Sequence, residues 1–165
     1  MVRAAIIVGA MLWAGLAMAQ SDPASNITWS SYGGVPGGGR YSALDQIDRS
    51  TVSDLKQVWT HSSGHAARAT ELGRGASYQV TPLHVNNTLY ICTPFNRVIA
   101  LNPESGAEIW SFDPHGSLFK DDAVPSTCRG VSYWQAETPR PETACEKRVF
   151  KGDRDGRMFA VDADT

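Results

Sequence analysis

Ala100-Leu101-Asn102-Pro103-Glu104-Ser105-Gly106-Ala107-Glu108-Ile109-Trp110 is the stretch that decides the fold of this chain. Asn102 and Gly106 are residue types that reverse a chain tightly, and Trp110 has a large flat surface that is best buried against another apolar layer. The small side chain of Ala100 would let that layer approach closely. We therefore interpret the stretch as two strands around a turn, packed against a neighbouring sheet.

The same pattern occurs twice along the chain. Arg97-Val98-Ile99-Ala100-Leu101-Asn102 matches Arg157-Met158-Phe159-Ala160-Val161-Asp162 at an offset of 60 residues. The preceding strands also match, Leu89 to Cys92 in the first copy and Arg148 to Lys151 in the second, with Asp155-Gly156 as the second turn. A repeated unit of about four strands is typical of a β-propeller, whose blades bury their faces against their neighbours. The sequence therefore predicts an all-β chain that begins a propeller.

The first copy contains four predicted strands joined by short turns. Asn86-Asn87 is a favoured two-residue hairpin turn, and Ser105-Gly106 makes the last reversal. The predicted strands are Val80–Val85, Thr88–Thr93, Arg97–Leu101 and Glu108–Phe112. Together they predict one antiparallel meander.

Upstream of the meander the sequence predicts short or irregular elements. The Gly-rich Ser31–Gly39 and the Gly, Ala and Arg mixture of Ser62–Ser77 are predicted loops. Ser50–Leu55 is a predicted helical turn, and Lys56–Thr60 is a predicted strand that ends near Trp59. Because the Gly-rich stretch lacks the Lys-Ser/Thr ending of a phosphate-binding loop, we do not expect it to bind phosphate.

Length, composition and charge limit the function classes. The 165 residues are enough for one ordinary domain. Hydrophobic residues make up 42% and charged residues 19%, which is a normal globular balance. The net charge of −2 gives no general attraction to nucleic acid, so we expect no nucleic-acid partner.

Residues 1–19 have the features of a secretory signal peptide. Arg3 supplies a positive start, Ala4 to Leu16 is apolar, and Ala17-Met18-Ala19 fits the small-x-small rule for cleavage. The apolar run of about 13 residues is shorter than the roughly 20 that span a bilayer. We expect cleavage before Gln20, a lead-in over residues 20–28 and a mature chain in an oxidising compartment. An uncleaved membrane anchor is the alternative.

The mature chain would keep three cysteines, so at least one is free or pairs outside it. Cys128 and Cys145 flank a Pro-rich segment and are a candidate disulfide. Cys92 lies in an apolar strand, where we expect a buried and unpaired thiol. No Cys-x-x-Cys spacing occurs, so the sequence predicts no zinc site.

These patterns resemble the pyrroloquinoline quinone (PQQ) dependent dehydrogenases, the quinoproteins. The family repeat is Ala-x-Asp-x-x-Thr-Gly-x-x-x-Trp, and the stretch from Ala100 to Trp110 is similar to it. The resemblance extends over residues 29–165, and Thr127 to Tyr133 is most similar to the glucose/quinate branch. It implies an eight-bladed propeller with PQQ and calcium in a central funnel. Residues 29–165 would be roughly its first two blades, with the remainder beyond Thr165.

The resemblance assigns three candidate cofactor-binding residues. Arg129 matches the family arginine that pairs with PQQ carboxylates, a role that suits the bidentate and permanently charged guanidinium. Gln79 stands where many members have a glutamate that hydrogen-bonds the cofactor. Trp134 stands where some sugar-oxidising relatives have a histidine, and it is a candidate cofactor neighbour. The calcium ligands and the catalytic base are expected beyond Thr165, so no catalytic or metal-binding residue is assigned in this chain.

The polar residues outside these motifs have structural interpretations. His61 and His65 are four residues apart in a predicted loop, and we do not interpret them as a metal pair. His84 and His115 lie beside turns. Asp121-Asp122 lacks a third ligand at a calcium-loop spacing, so we interpret it as a solvated turn.

The resemblance implies a periplasmic enzyme that oxidises a sugar, polyol or alcohol and passes electrons to a quinone or cytochrome c. The substrate, a cytochrome domain, docking on the membrane and the oligomeric state all stay open. We expect the fragment alone to be inactive, because two blades leave sheet edges that a closed ring would cover. The main alternative is a non-enzymatic envelope propeller that serves as an assembly scaffold, and a binding propeller of the lectin type is a third.

Overall fold

The computed structural model of the chain describes residues 28–73, 75–114, 126–138, 140 and 143–165. Three predictions lie outside these residues: the signal peptide over 1–19, the lead-in up to residue 27, and the solvated turns at His115 and Asp121-Asp122.

Nine strands make up most of the regular structure of the described residues. The only α-helix described, α1, spans His65–Leu72, and a 3-10 helix spans Val52–Asp54 within the predicted helical turn. The strands are β1 (Ala76–Tyr78), β2 (Leu83–Val85), β3 (Thr88–Cys92), β4 (Val98–Leu101), β5 (Glu108–Phe112), β6 (Ser126–Cys128), β7 (Ser132–Gln135), β8 (Lys147–Gly152) and β9 (Met158–Asp162).

The strands form three sheets. The first repeat is a four-stranded antiparallel meander in the order β2-β3-β4-β5, and the second repeat has the order β7-β8-β9. The third sheet is a parallel pair of β1 with β6. The predicted meander is confirmed, and the parallel pair was not predicted.

Equivalent hairpins occur in the two repeats. In the first, the Thr93 N–H donates to the Arg97 carbonyl (2.8 Å), and in the second the Asp153 N–H donates to the Arg157 carbonyl (2.9 Å). Each turn has a residue in the left-handed region, Asn96 (φ 69°) and Gly156 (φ 79°). The 60-residue offset in sequence is therefore a repeat in structure. The Asn86-Asn87 hairpin is also confirmed, because both residues have positive φ as a two-residue turn requires.

One face of the first sheet packs on the second sheet and forms the main core. Leu83, Val98 and Ala100 are buried there with Val149 and Ala163 of the second repeat. Trp110 packs against this cluster, and its indole N–H donates to the Ala163 carbonyl (3.1 Å). The interpretation of the opening stretch is thus confirmed: a small alanine admits the neighbouring sheet, and the tryptophan covers it.

The turn after Ala100 is held by an asparagine and a glycine. Asn102 Oδ1 accepts hydrogen bonds from the backbone N–H groups of Glu104 and Ser105, both at 2.9 Å. Gly106 has φ 69°, and a Cβ there would lie 2.4 Å from Cε3 of Trp59. The glycine therefore allows both the turn and the close approach of the indole.

Two predictions upstream of the meander are wrong. Lys56–Thr60 is not a strand. Instead, the Trp59 ring packs on Gly106, and its indole N–H donates to the Pro103 carbonyl (3.0 Å). Ser62–Ser77 is not a loop throughout but contains α1 and β1. Gly64 and Gly73, both left-handed, flank α1, and the helix between them includes Ala and Leu, which are good helix formers.

The cysteine prediction is also wrong. Cys92 at the end of β3 forms a disulfide with Cys128 at the end of β6, with their Cα atoms 6.0 Å apart. Cys145 is the free cysteine, in a left-handed turn conformation (φ 63°) where its N–H donates to Asp162 Oδ2 (2.7 Å). The parallel pairing of β1 with β6 brings Cys128 next to the first repeat. The sequence does not indicate this contact, because the two cysteines are 36 positions apart.

Among the described residues, no helix has the length and apolar character needed to cross a bilayer.

Candidate functional site

The parallel pair of β1 and β6 places two candidate residues, Gln79 and Arg129, at the same end of one ladder. Tyr78 pairs with Cys128 at the end of this ladder, so Gln79 and Arg129 are the next residues along adjacent parallel strands. The Thr81 N–H donates to the Arg129 carbonyl (3.3 Å), which extends the connection between the two segments. Two residues that lie 50 positions apart in sequence therefore follow the same end of one ladder.

Arg129 lines a cavity of about 270 Å³ between the two repeats. Three segments form its walls: the β3–β4 turn, the end of β6, and the end of β8 with the turn that follows. The lining residues are Asn96, Thr127, Cys128, Arg129, Gly130, Lys151, Gly152, Asp153 and Arg154. Among them are three basic residues and one acidic residue, so the lining favours an anion.

Lys151 is a deeply buried cation of this cavity. The residue is only 4% exposed, and its ammonium donates to the carbonyl of Gly152. Burial lowers the pKa of Lys151 below its usual 10.5, and the nearby Asp153 carboxylate opposes this shift. Asp153 itself is held by Arg157 at 2.6 Å between Oδ2 and Nη2. The acidic residue of the cavity is thus already paired with a cation that does not line it.

Two further polar groups in the lining lack partners among the described residues. The hydroxyl of Thr127 is buried and accepts or donates no hydrogen bond within this part of the chain. Within the described part of the chain, no residue forms an ion pair with the guanidinium of Arg129. A buried polar atom without a partner costs free energy, and a bound ligand can supply what is missing. An anionic group with oxygen acceptors, such as a carboxylate, fits this donor set.

The other two candidate residues do not line the cavity. Gln79 is exposed, and its amide Nε2 donates to Ser77 Oγ (2.8 Å). Trp134 lies in β7 opposite Arg148, whose guanidinium carbon is 5.1 Å from the centre of the indole. Its side chain is on the face of the second sheet that points away from the first, because its neighbour Tyr133 packs into the core between the two sheets. The roles of Gln79 and Trp134 at a cofactor stay predictions.

Sequence reasoning missed Lys151 and Thr127. A signal for the lysine was available, because side chains two apart in a strand share a face and Val149 is an apolar core position. A lysine on that face is a cation pointing inward. Thr127 gave no such signal, since its burial depends on the pairing of β6 with β1.

A second cavity, of about 720 Å³, lies on the other face of the first sheet and is mainly apolar. His61 and His65 both line it. His65 Nδ1 is 2.9 Å from Ser63 Oγ, whereas Nε2 of His61 is buried and has no hydrogen-bond partner in the part of the chain that the structure describes. Across the ranges that the structure describes, no cluster of three or more His, Cys, Asp or Glu residues could hold a metal.

The fold and the cavity together define a class of protein. Successive antiparallel sheets that pack face to face are typical of the blades of a β-propeller, and here a cavity whose lining suits an anion lies between two of them. Residues 29–165 match the family described as PQQ: glucose/ethanol/alcohol dehydrogenase, beta-propeller domain, and the chain therefore belongs to this family.

Individual relatives agree with this assignment. The chain is 37% identical to the quinate/shikimate dehydrogenase (quinone) of Acinetobacter baylyi over 87% of its own length and 19% of that protein. It is 38% identical to quinoprotein glucose dehydrogenase A of Acinetobacter calcoaceticus over 83% of its length and 18% of that protein. The crystal structure of the quinohemoprotein alcohol dehydrogenase from Comamonas testosteroni matches 84% of the chain, with a TM-score of 0.63 and 26% identity, over 18% of that chain. The chain thus spans about a fifth of the length of these relatives.

Proposed function

We propose that this chain is part of a PQQ-dependent dehydrogenase that oxidises a sugar, polyol or alcohol. The observation that carries the proposal is the Arg129 cavity. Three residues line it together: Arg129, which has no ion-pair partner among the described residues, the buried Lys151, and Thr127, whose hydroxyl is unsatisfied within the same part of the chain. An assembly scaffold has no need of such a set, because unsatisfied donors and a buried cation only lower its stability.

The roles of the residues follow from their chemistry. Arg129 would pair with a PQQ carboxylate through its fork of N–H donors, which matches a carboxylate in shape and charge. Gln79 follows the same end of the β1–β6 ladder as Arg129, and its amide would hydrogen-bond the cofactor without adding charge. Trp134 would lie near the cofactor as an aromatic neighbour. PQQ, when bound, accepts two electrons from the carbon that carries the substrate hydroxyl. The chain's own residues hold and orient the cofactor.

The proposal includes a calcium ion, an electron acceptor and export. We expect the calcium ligands and the general base in later blades of the propeller. A quinone or cytochrome c would accept the electrons. Export to the periplasm rests on residues 1–19, and the Cys92–Cys128 disulfide supports it because disulfides persist in oxidising compartments. Sequencing the N-terminus of the protein from a periplasmic extract tests this part, and Gln20 is the expected first residue.

A cofactor titration tests the central claim. We expect the intact protein to bind PQQ in a stoichiometric manner, measured by quenching of tryptophan fluorescence. Arg129→Ala should weaken this affinity about 100-fold, because a charge-assisted bidentate contact contributes about 3 kcal/mol. The matched control is Arg140→Ala, since Arg140 is exposed, pairs with Glu146 at 2.8 Å and does not line the cavity.

Two outcomes would contradict the proposal. If the intact protein binds no PQQ, the scaffold alternative is favoured. If Arg129→Ala and Arg140→Ala bind PQQ equally well and oxidise substrate at the same rate as the unchanged protein, Arg129 has no part in cofactor binding.

A further inference from the structure

We propose that Lys151 and Thr127 are additional cofactor-binding residues, which complete with Arg129 a single site for one carboxylate of the quinone. The inference rests on the proposed function and deepens it, because it assigns the cavity between the first two blades as the carboxylate subsite. The three residues come from separate elements: Thr127 from β6, Arg129 just after it, and Lys151 from β8 of the second sheet.

Electrostatics favour an anion at this place. Arg129, Lys151 and Arg154 line the cavity, and its acidic residue, Asp153, is held by Arg157. Arg157 contacts Asp153 through two nitrogens, Nη2 at 2.6 Å and Nε at 2.8 Å. The Asp153 carboxylate is therefore already neutralised by Arg157 and contributes little negative charge to the cavity. Arg154 has a partner of its own and is left out of the charge balance, whereas neither Arg129 nor Lys151 forms an ion pair among the described residues. A carboxylate ligand would supply the opposite charge to the buried Lys151 and to the more exposed Arg129.

The position of Lys151 argues against a purely structural role. Lysine is almost never fully buried unless it is paired. Lys151 forms no ion pair within the described residues, and its recorded donor contact is to the carbonyl of the adjacent Gly152. It shares a face of β8 with Val149, which is fully buried in the core, so an apolar side chain would suit the fold at least as well. A buried cation such as Lys151, which does not stabilise the fold, is expected at a site that binds an anionic ligand.

Thr127 supplies a neutral donor to the same site. Its backbone pairs with Ser77 of β1 in the parallel ladder, which fixes its position beside that strand. Thr127 lines the cavity, and its hydroxyl is buried without a hydrogen-bond partner among the described residues. A carboxylate has two oxygens and several acceptor sites, so it can accept from a hydroxyl, an ammonium and a guanidinium together.

The test compares matched variants of the intact protein with PQQ as the probe. Lys151→Met keeps the length and apolar stem of the side chain and removes its charge, and Thr127→Val removes only the hydroxyl. We expect the PQQ dissociation constant to rise about 10- to 100-fold for Lys151→Met and about 3- to 10-fold for Thr127→Val. Lys147→Met is the control, because Lys147 is in the same strand, pairs with Asp164 at 3.0 Å and does not line the cavity.

Unfolding of the cofactor-free protein is the second measurement. If Lys151 serves the ligand, Lys151→Met should unfold at an equal or higher urea concentration while it binds PQQ more weakly. A structural lysine would give the opposite pair of results, lower stability and unchanged affinity, which would overturn the proposal. Unchanged affinity of both variants beside a weakened Arg129→Ala would overturn it while the proposed function stands. Absence of PQQ binding by the unchanged protein would overturn both.

Discussion

Removal of the Cys92–Cys128 disulfide should destabilise the protein more than any other change at a cysteine. The bond joins the end of β3 to the end of β6 and closes a loop across 36 residues. In the chain-entropy model, a cross-link of this loop length lowers the entropy of the unfolded chain and so raises the free energy of unfolding by about 4 kcal/mol. Both cysteines are buried, so the double variant Cys92→Ala/Cys128→Ala avoids leaving a free thiol in the core.

The measurement is urea unfolding followed by fluorescence. With a slope of about 2 kcal/mol per molar urea, a loss of about 4 kcal/mol lowers the midpoint by about 2 M. Reduction of the unchanged protein with dithiothreitol should give the same shift, which separates the cross-link from the packing of the sulfur atoms. Cys145→Ser is the control and should change the stability by about 0.5 kcal/mol or less, since Cys145 is free and partly exposed.

The disulfide also bears on the candidate site, because Cys128 directly precedes Arg129 and lines the same cavity. Loss of the bond should therefore weaken PQQ binding as well as stability. The reasoning is refuted if peptide mapping finds Cys128 linked to Cys145, or if the double variant unfolds at the same urea concentration as Cys145→Ser.

Three other predictions concern packing and charge. Gly106→Ala should cost over 2 kcal/mol in the free energy of unfolding, because a Cβ would lie 2.4 Å from the Trp59 ring at φ 69°. Gly156→Ala, with φ 79° and open space around it, should cost about 1 kcal/mol; equal losses in urea unfolding would contradict the role of Trp59. Ala100→Leu should cost about 1–3 kcal/mol because Ala100 is fully buried between the sheets, whereas the exposed Ala107→Leu should be near neutral by the same assay. Stability should rise as the pH increases toward 10.5, the ordinary pKa of lysine, because burial lowers the folded-state pKa of Lys151 and the unfolded state therefore binds more protons in that range. This rise should be smaller in Lys151→Met, and identical pH profiles of the two proteins would show that Lys151 is not desolvated.

Local sequence signals predicted the strands of the first repeat well. Asn86-Asn87 and Asn102 with Gly106 carry their turn chemistry in their own side chains and backbone preferences, so no distant contact is needed to predict them. The match between Arg97–Asn102 and Arg157–Asp162 likewise predicted two equivalent hairpins. The resemblance built on these residues gave the family, which the match over residues 29–165 bears out.

The sequence-based predictions are wrong where contacts between distant segments determine the local structure. Trp59 lies within the predicted strand Lys56–Thr60 but packs on Gly106, 47 residues away, and that contact outweighs local strand propensity. The irregular Gly, Ala and Arg mixture of Ser62–Ser77 predicts a loop, whereas in the structure Gly64 and Gly73 flank a helix. All three residues of the candidate site line the cavity, but only Arg129 was predicted from the sequence; Lys151 and Thr127 were not predicted.

By itself, the sequence determined the repeat, its turns, the all-β class and the family, since these depend on residues that are close along the chain. The tertiary structure alone decided the Cys92–Cys128 bond, the parallel pairing of β1 with β6 and the cavity that joins Arg129 to Lys151. The physical reason is that these features form between blades. Each depends on which faces of separate sheets are buried against one another, and a linear pattern does not contain that information.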